Sequence, residues 1–282
     1  MKKCIIVFNT HKNESHEIGK QIASWLLDRN VICDFFSFDG FCTQNPFDGY
    51  DFAVTLGGDG TVLFAARGCA KNGIPVFSVN LGEFGFIASV QKNEWKSELK
   101  NFLDGKAYIA ERNLISAYCK KHDSEKEEYY GSGLNDIVVC AKTAARNVMF
   151  EVSFNEVALG RMKADGVILS TATGSTAYSS SAGGPIIDPD LDAFVLTLLD
   201  SFSLSGRPLV LNPRGELKIK ILDGRENNVL LIVDGQKPFE LTANDVIKIK
   251  ISQDKVRLVG CSNQKFYEAL RSKLNWSGGP HA

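Results

Sequence analysis

The chain has 282 residues, 44% of them hydrophobic and 23% charged, with a formal net charge of −1 at pH 7 and a pI near 6.4. This is the composition of a globular protein with material for one large or two modest domains. The near-neutral balance removes the electrostatic case for nucleic acid or an anionic membrane as the main partner. The seven cysteines are odd in number, sit mostly in apolar runs and form no CxxC pair, which predicts buried free thiols in a reducing compartment. MKKCIIVFNT turns polar at Asn9, too soon for a signal-peptide core, and no run of about 18 apolar residues follows. A cytoplasmic protein is expected.

Along the first hundred residues strand and helix patterns alternate. CIIVFN (4–9) suits a central strand, and residues 14–29 place Ile18, Ile22, Trp25, Leu26 and Arg29 at helical spacing. VICDFF (31–36) and FAVTL (52–56) read as strands around a Gly/Pro loop. Thr61 to Asn72 reads as a helix stopped by Gly73, followed by the strand PVFSVN and a helix over about 93–104. Apolar strands separated by helices imply a parallel sheet covered on both faces. After residue 106 the pattern changes to short strands: AYIAERNLISAYCKK, LNDIVVCAK, NVMFEVSFN, EVALGRMK, DGVILST, ELKIKIL, NVLLIVDG, DVIKIKI and KVRLVG. Asn155-Glu156 has the character of a hairpin turn, and HDSEKEEYYG is expected to be an exposed loop. Alternation in ELKIKIL and VIKIKI suits antiparallel sheet with one solvated face. An amphipathic helix at about 264–274 ends the pattern through Phe266, Leu270 and Leu274.

Three stretches carry chemistry. GGDGT (57–61) follows an apolar strand and opens a helix. Glycines there allow close approach, and backbone N–H groups plus the helix dipole make a phosphate site. Asp59 beside phosphates needs a cation or an incoming hydroxyl between them, so it is a candidate magnesium contact or general base. Turn chemistry is the plainer alternative for a lone GDG. In SVNLGEFGFIAS (78–89) two glycines again follow a strand; Phe84 reads as core, while Phe86 can offer a face to a purine. DGVILSTATGSTAYSSSAGGP (165–185) brings Thr171, Thr173, Ser175, Thr176, Tyr178 and Ser181 to the end of a strand, as neutral donors and acceptors for sugar and phosphate. His11, His16, His122 and His281 fall in termini or polar loops, so a Ser/His/Asp hydrolase is not indicated.

GGDGT, NLGEFGF (80–86), LNDIVV (134–139), DGVILSTATGSTAYSSSAGGP, SLSGRPLV (203–210) and VDGQ (233–236) together resemble the NAD kinases over nearly the whole chain. GGDGT alone is unspecific, because diacylglycerol and sphingosine kinases and phosphofructokinases carry similar glycine-aspartate motifs; its combination with DGxxxSTxTGSTAY is specific. The resemblance implies magnesium-dependent transfer of the ATP γ-phosphoryl group to the 2′-hydroxyl of the adenosine ribose of NAD, giving NADP. It implies a Rossmann-like α/β domain over 1–105 that carries GGDGT and a β-sandwich-like, NAD-binding domain over 106–261. Residues 262–282, with the C-terminal helix, would return to the first domain, and the chain would assemble as a homodimer or homotetramer. Rival readings are a lipid or sugar kinase sharing GGDGT and a non-catalytic NAD(H)-binding sensor.

By position, the resemblance makes Asp59 the catalytic aspartate, as base or magnesium organiser, with Gly57, Gly58, Gly60 and Thr61 framing the donor phosphates. No metal is fixed by the protein apart from this role of Asp59. Phe86 matches the aromatic residue beside the adenine, and Asn135 and Asp136 match the pair that holds NAD. Asp165 would contact the nicotinamide-side portion across a subunit interface, with Lys163 at a position that is often basic. Thr176, Ala177, Tyr178 and Ser181 fall on the nucleotide-contacting segment, Ala177 being small enough for a flat ring to approach. Asp234, before Gly235, matches a late Asp-Gly for which a plain turn is nearly as good a reading. Two departures stand out: Ala172 replaces a proline, and Phe202 replaces a histidine.

Overall fold

The computed structural model describes residues 1–10, 13–40, 42, 44–82, 85–144, 146–201, 206–224 and 228–276. Phe84, expected in the core, and Phe202 with the SLS of SLSGRP lie outside the described residues. The chain divides into two compact units, Met1–Arg112 with Asp254–Ala282, and Asn113–Gln253. No helix among the described residues is long and apolar enough to cross a membrane.

In the first unit β1 (Lys2–Asn9), α1 (Asn13–Leu27), β2 (Val31–Phe38), β3 (Phe52–Gly57), α2 (Asp59–Ala70), β4 (Val76–Asn80), β5 (Val90–Gln91) and α3 (Trp95–Leu103) alternate. The paired strands are parallel in the order β2-β1-β3-β4, with β5 beside β4. All six residues of β3 are buried, as its unbroken apolar run demands of a strand covered on both faces. Ile18, Ile22 and Leu26 recur at helical spacing on α1 and pack with Ile6, Phe8, Val54, Trp95 and Leu99. Arg29 lies just beyond α1, its guanidinium 3.7 Å from the Trp25 ring centroid and donating to the Trp25 carbonyl at 2.9 Å. Asn30, at φ 60°, turns the chain into β2.

The strands β6 (Ile109–Lys120), β7 (Glu127–Gly133), β8 (Asp136–Ala141), β9 (Val148–Phe154), β10 (Val157–Ala164) and β11 (Gly166–Thr171) come next. A 3-10 turn over Thr173–Thr176 and the short helix α4 (Tyr178–Ser181) follow. Then come β12 (Phe194–Leu199), β13 (Leu209–Leu211), β14 (Glu216–Leu222), β15 (Val229–Val233), β16 (Phe239–Leu241) and β17 (Val246–Val259), and α5 (Asn263–Leu274) closes the series. One antiparallel sheet of the second unit runs β13-β12-β11-β8-β15-β16, and β10, β9 and β14 belong to another. Inward residues of both, among them Val139, Leu169, Leu231, Phe150, Ile219 and Ile247, form one core. Every second residue of β14 is buried, which the alternation in ELKIKIL announced.

Asn155 and Glu156 join β9 to β10 at φ 50° and 62°, both left-handed as the favoured two-residue hairpin turn requires. The run expected as an exposed loop is part strand: Glu127–Gly133 pairs antiparallel with β6. Its side chains are polar because it lies at a sheet edge, where Tyr129 packs on Tyr118 and Glu127 pairs with Lys248 at 2.8 Å. DVIKIKI and KVRLVG, read as two strands, are one: the exposed polar residues between them continue β17 rather than turning. Leu258 and Val259 at its end pair with Val76 and Phe77 of β4. Ser262 then caps α5 by accepting from the Lys265 N–H, and Phe266, Ala269 and Leu270 form its buried face.

Candidate functional site

The strand order of the first unit reverses between β1 and β3, the point beyond which open parallel sheets place ligands. The glycines of GGDGT sit at the end of β3 and are not equivalent. A Cβ on Gly57 would overlap Thr61 Oγ1, so that glycine serves packing. Gly58 is extended (φ −112°, ψ −169°), and a Cβ there or on Gly60 would meet nothing within 4 Å. Neither backbone strain nor crowding asks for these two glycines; what they provide is free space. No side chain caps the N-terminus of α2, so the positive end of its dipole is left without a side-chain acceptor there. Thr61 is buried, and its N–H donates to the Gly58 carbonyl at 3.0 Å.

Asp59 is the first residue of α2, and backbone groups of a distant segment hold its carboxylate. Oδ2 accepts from the Phe86 N–H at 3.2 Å, and Oδ1 accepts from Ile87 and Ala88 at 3.3 and 2.9 Å. A carboxylate has about four acceptor positions, so three N–H groups leave room for one further donor or a cation. Gly85 makes this approach possible, because a Cβ there would overlap Asp59 Oδ1. Gly85→Ala is therefore expected to dislodge the Asp59 carboxylate and lower turnover roughly tenfold, with about 1–3 kcal/mol lost to overpacking. Steady-state kinetics beside chemical denaturation check it, and an unchanged kcat would break the link between Gly85 and Asp59.

The Phe86 ring is half-buried and already has neighbours. Phe266 of α5 lies at 5.9 Å between centroids, tilted by 51°, and Lys273 Nζ is 5.7 Å from the Phe86 centroid. Among the described residues no group of three or more His, Cys, Asp or Glu side chains is arranged to hold a metal ion.

In the second unit the hydroxyl-rich segment folds back on the start of β8. Thr171 donates its hydroxyl to the Leu134 carbonyl at 2.6 Å, and its N–H donates to the Asn135 carbonyl at 2.9 Å. Gly174 then lies against Asn135, whose backbone a Cβ would overlap. Ser175 exchanges hydrogen bonds with the Ile187 backbone, and Ser179 shares one with Thr197 at 3.0 Å. Thr171, Ser175 and Ser179 thus shape the loop. Ala177 is half-buried and Tyr178 and Ser181 are exposed; half-buried Thr176 donates to the Thr173 carbonyl at 3.3 Å.

Asp136 is 4% exposed and accepts from the Tyr178 N–H. Burial, with the neighbouring charge of Asp234, raises its carboxyl to about 7. The hydroxyl of the exposed Tyr178 is also shifted up, first by partial desolvation on its inner side and then by nearby negative groups, Asp136 among them. The half-buried Asn135 precedes Asp136, and both hang from Asp234, which accepts from the N–H groups of Leu134, Asn135 and Asp136 at 2.9, 2.8 and 3.2 Å. Asp165 is elsewhere. It sits just before β11, whose far end carries the Asn135 contacts, about 20 Å away at strand rise. There it accepts from the Asn147 side-chain amide. Lys163 is exposed nearby on β10.

Comparison with known proteins gives these two clusters a family. A model of the ATP-NAD kinase N-terminal domain matches residues 39–107, and one of the ATP-NAD kinase C-terminal domain matches residues 134–261. The NAD kinase of Treponema denticola is 46% identical over 279 residues, covering 99% of this chain and 98% of that protein. The chain belongs to the NAD kinase family. The NAD kinase of Thermoanaerobacter pseudethanolicus is 34% identical, covering 97% of this chain and 99% of that protein. Yeast NADH kinase, solved with NADH, superposes with a TM-score of 0.88 at 25% identity, covering 99% of this chain and 89% of that one. An NAD kinase from Archaeoglobus fulgidus, solved with ATP, has the same fold: TM-score 0.79, 23% identity, and 97% and 98% covered. The α/β first domain, β-rich second domain and C-terminal helix of NAD kinases are those expected from the sequence.

Within this NAD kinase chain several neighbours of the predicted residues left no sequence signal. The backbone N–H groups that hold Asp59 are of this kind, as is the α5 lysine over Phe86. Phe266 was legible as an apolar helix position, but its ring partner was not. The sequence offers Asp234 as a turn residue or a ligand contact; in the structure its carboxylate accepts from three backbone N–H groups.

Proposed function

We propose that the protein transfers the γ-phosphoryl group of ATP to the 2′-hydroxyl of the adenosine ribose of NAD, giving NADP, with Mg2+ as cofactor. The observation that carries this is the arrangement at α2. A half-buried carboxylate with one acceptor position left stands at an uncapped helix N-terminus, beside two glycines that keep space open. Gly57, Gly58, Gly60 and Thr61 frame the donor phosphates, and the first N–H groups of α2 neutralise part of their charge. The remaining acceptor position of Asp59 takes either the 2′-hydroxyl proton as transfer proceeds or the magnesium ion. When bound, Mg2+ neutralises charge on the transferring phosphoryl group. An oxygen-only surrounding of phosphates and one carboxylate fits that hard cation. Phe86 lies beside the adenine, and Asn135 and Asp136 receive the ribose hydroxyls. Thr176, Ala177, Tyr178 and Ser181 line the nucleotide, with Ala177 admitting a flat ring to the backbone.

Asp165 and Lys163 act on the nicotinamide side from a neighbouring copy, in a homodimer or homotetramer. Their distance along β11 from Asn135 supports that reading. The free state of all seven cysteines supports a reducing cytoplasm. The lipid- or sugar-kinase reading lacks a use for the Asn135–Gly174 contact. A non-catalytic sensor has no need of a carboxylate held at a phosphate cradle.

Purified protein with ATP, Mg2+ and NAD is expected to form NADP, detected with an NADP-specific dehydrogenase, and excess chelator is expected to stop it. NAD binding without NADP formation would point to the sensor, and ADP release only with a lipid or sugar would point to the other kinases.

A further inference from the structure

Asp234 occupies the hairpin between β15 and β16 at φ 49°, followed by Gly235 at φ 63°. Its side chain is turned inward and its residue is 6% exposed. Three consecutive N–H groups, of Leu134, Asn135 and Asp136, converge on its two oxygens, and its own N–H donates to the Asp136 carbonyl at 3.0 Å. Successive backbone N–H groups that point to one place form an anion nest. Here the chain fills its own nest, from about a hundred residues away, at the root of the pair that faces the ribose. Gly133 is part of the arrangement, because a Cβ there would come within 2.8 Å of Asp234 Oδ1.

We propose that Asp234 is a positioning residue for the acceptor site: it does not touch the dinucleotide, but fixes the backbone of Asn135 and Asp136 and sets the electrostatic environment of the Asp136 carboxyl. This rests on the reading of Asn135 and Asp136 as the NAD-holding pair. With three of about four acceptor positions filled, Asp234 has little left to offer a ribose hydroxyl. Its charge acts instead on Asp136. The groups facing Asp136 are the Asp234 carboxylate from the β15–β16 turn and Tyr178 from α4, which donates its N–H and brings its hydroxyl into the same field. Burial and Asp234 raise the Asp136 carboxyl to about 7, and the Tyr178 N–H pulls the other way. Because the ionised carboxylate is the better acceptor for ribose hydroxyls, NAD affinity should rise as pH increases through about 7.

The test compares wild type, Asp234→Asn and Gly133→Ala, the second variant moving the carboxylate while keeping its charge. Asp234→Asn is expected to raise KM for NAD at least tenfold with a much smaller change in kcat, and to move the midpoint of the pH dependence of KM below that of wild type. Gly133→Ala is expected to raise KM without that removal of charge. Two ligand-free measurements accompany the kinetics: amide hydrogen exchange at residues 134–136, expected to quicken in both variants, and carbon-13 NMR titration of the Asp136 carboxyl, expected to shift down in Asp234→Asn. Wild type that forms no NADP would sink the functional reading alone. Unchanged exchange at 134–136 together with an unchanged Asp136 titration would overturn the positioning role, as would a higher KM with an unmoved pH midpoint, which marks a direct ligand contact.

Discussion

Asp59→Asn is expected to lower kcat by about 10²- to 10⁴-fold, the range of a lost acid–base group, while the protein stays folded and keeps its KM for NAD. The substitution is nearly isosteric, so the contacts of the side chain decide the cost of folding. Oδ1 accepts from Ile87 and Ala88, and an asparagine with its carbonyl in that place keeps both bonds. Its NH2 then faces the Phe86 N–H, and one hydrogen bond of 3.2 Å is replaced by two opposed donors. That costs about 1–3 kcal/mol, tolerable for a chain of this size. What asparagine cannot do is take a proton or bind a hard cation strongly. The two roles separate on magnesium. If Asp59 is the base, the variant keeps the wild-type dependence on Mg2+ concentration and loses the acid limb of the kcat–pH profile. If it is the metal ligand, half-saturating Mg2+ rises severalfold. A folded variant with near-normal turnover removes Asp59 from the mechanism altogether.

The sequence and the structure agree where a residue's own pattern decides its state. FAVTL is apolar on both faces and is buried on both. Asn155-Glu156 tolerates left-handed backbone and makes the hairpin. Agreement fails where a partner decides. EEYYGSG is a strand because β6 offers it a ladder, and its charged composition reflects a sheet edge. At the candidate site the sequence marks the carboxylates but not what holds them. The partners of Asp59 lie 27 to 29 residues on and those of Asp234 about a hundred residues back, and all of them are backbone N–H groups. Every non-proline residue has such a group, so no residue type announces it. The glycines come closest to a visible trace. Gly85 and Gly133 stand where a Cβ would strike the held carboxylate, and each lies within three residues of the N–H groups that hold it. A glycine just ahead of a strand or turn is thus a sign that backbone, rather than side chain, meets a distant acid there.

Asp136→Asn is expected to make the second unit more stable in alkaline solution and no more stable in acid. In the folded chain the Asp136 carboxyl titrates at about 7, against a reference of 3.8. Between those two values the folded state binds a proton that the unfolded state has lost, so stability falls as pH rises through the window, and the penalty is complete only above about 7. Three pH units at about 1.4 kcal/mol each make roughly 4 kcal/mol of penalty by pH 8. Two causes act together, burial first and then the charge of Asp234. Asparagine is neutral at every pH, can accept from the Tyr178 N–H as the carboxyl does, and can turn its NH2 toward the Asp234 carboxylate. The variant should therefore match wild type near pH 4 and exceed it increasingly up to pH 8, as measured by denaturant unfolding at both ends. A gain independent of pH would mean that the ionised state of Asp136 is not what is being relieved. Under the proposal that Asp136 accepts ribose hydroxyls, the same substitution removes that anionic acceptor, so the KM for NAD should rise as stability does. A buried acid that folding would rather keep neutral, next to a second acid that holds its backbone, is the strain expected of a binding group maintained against the preference of the fold.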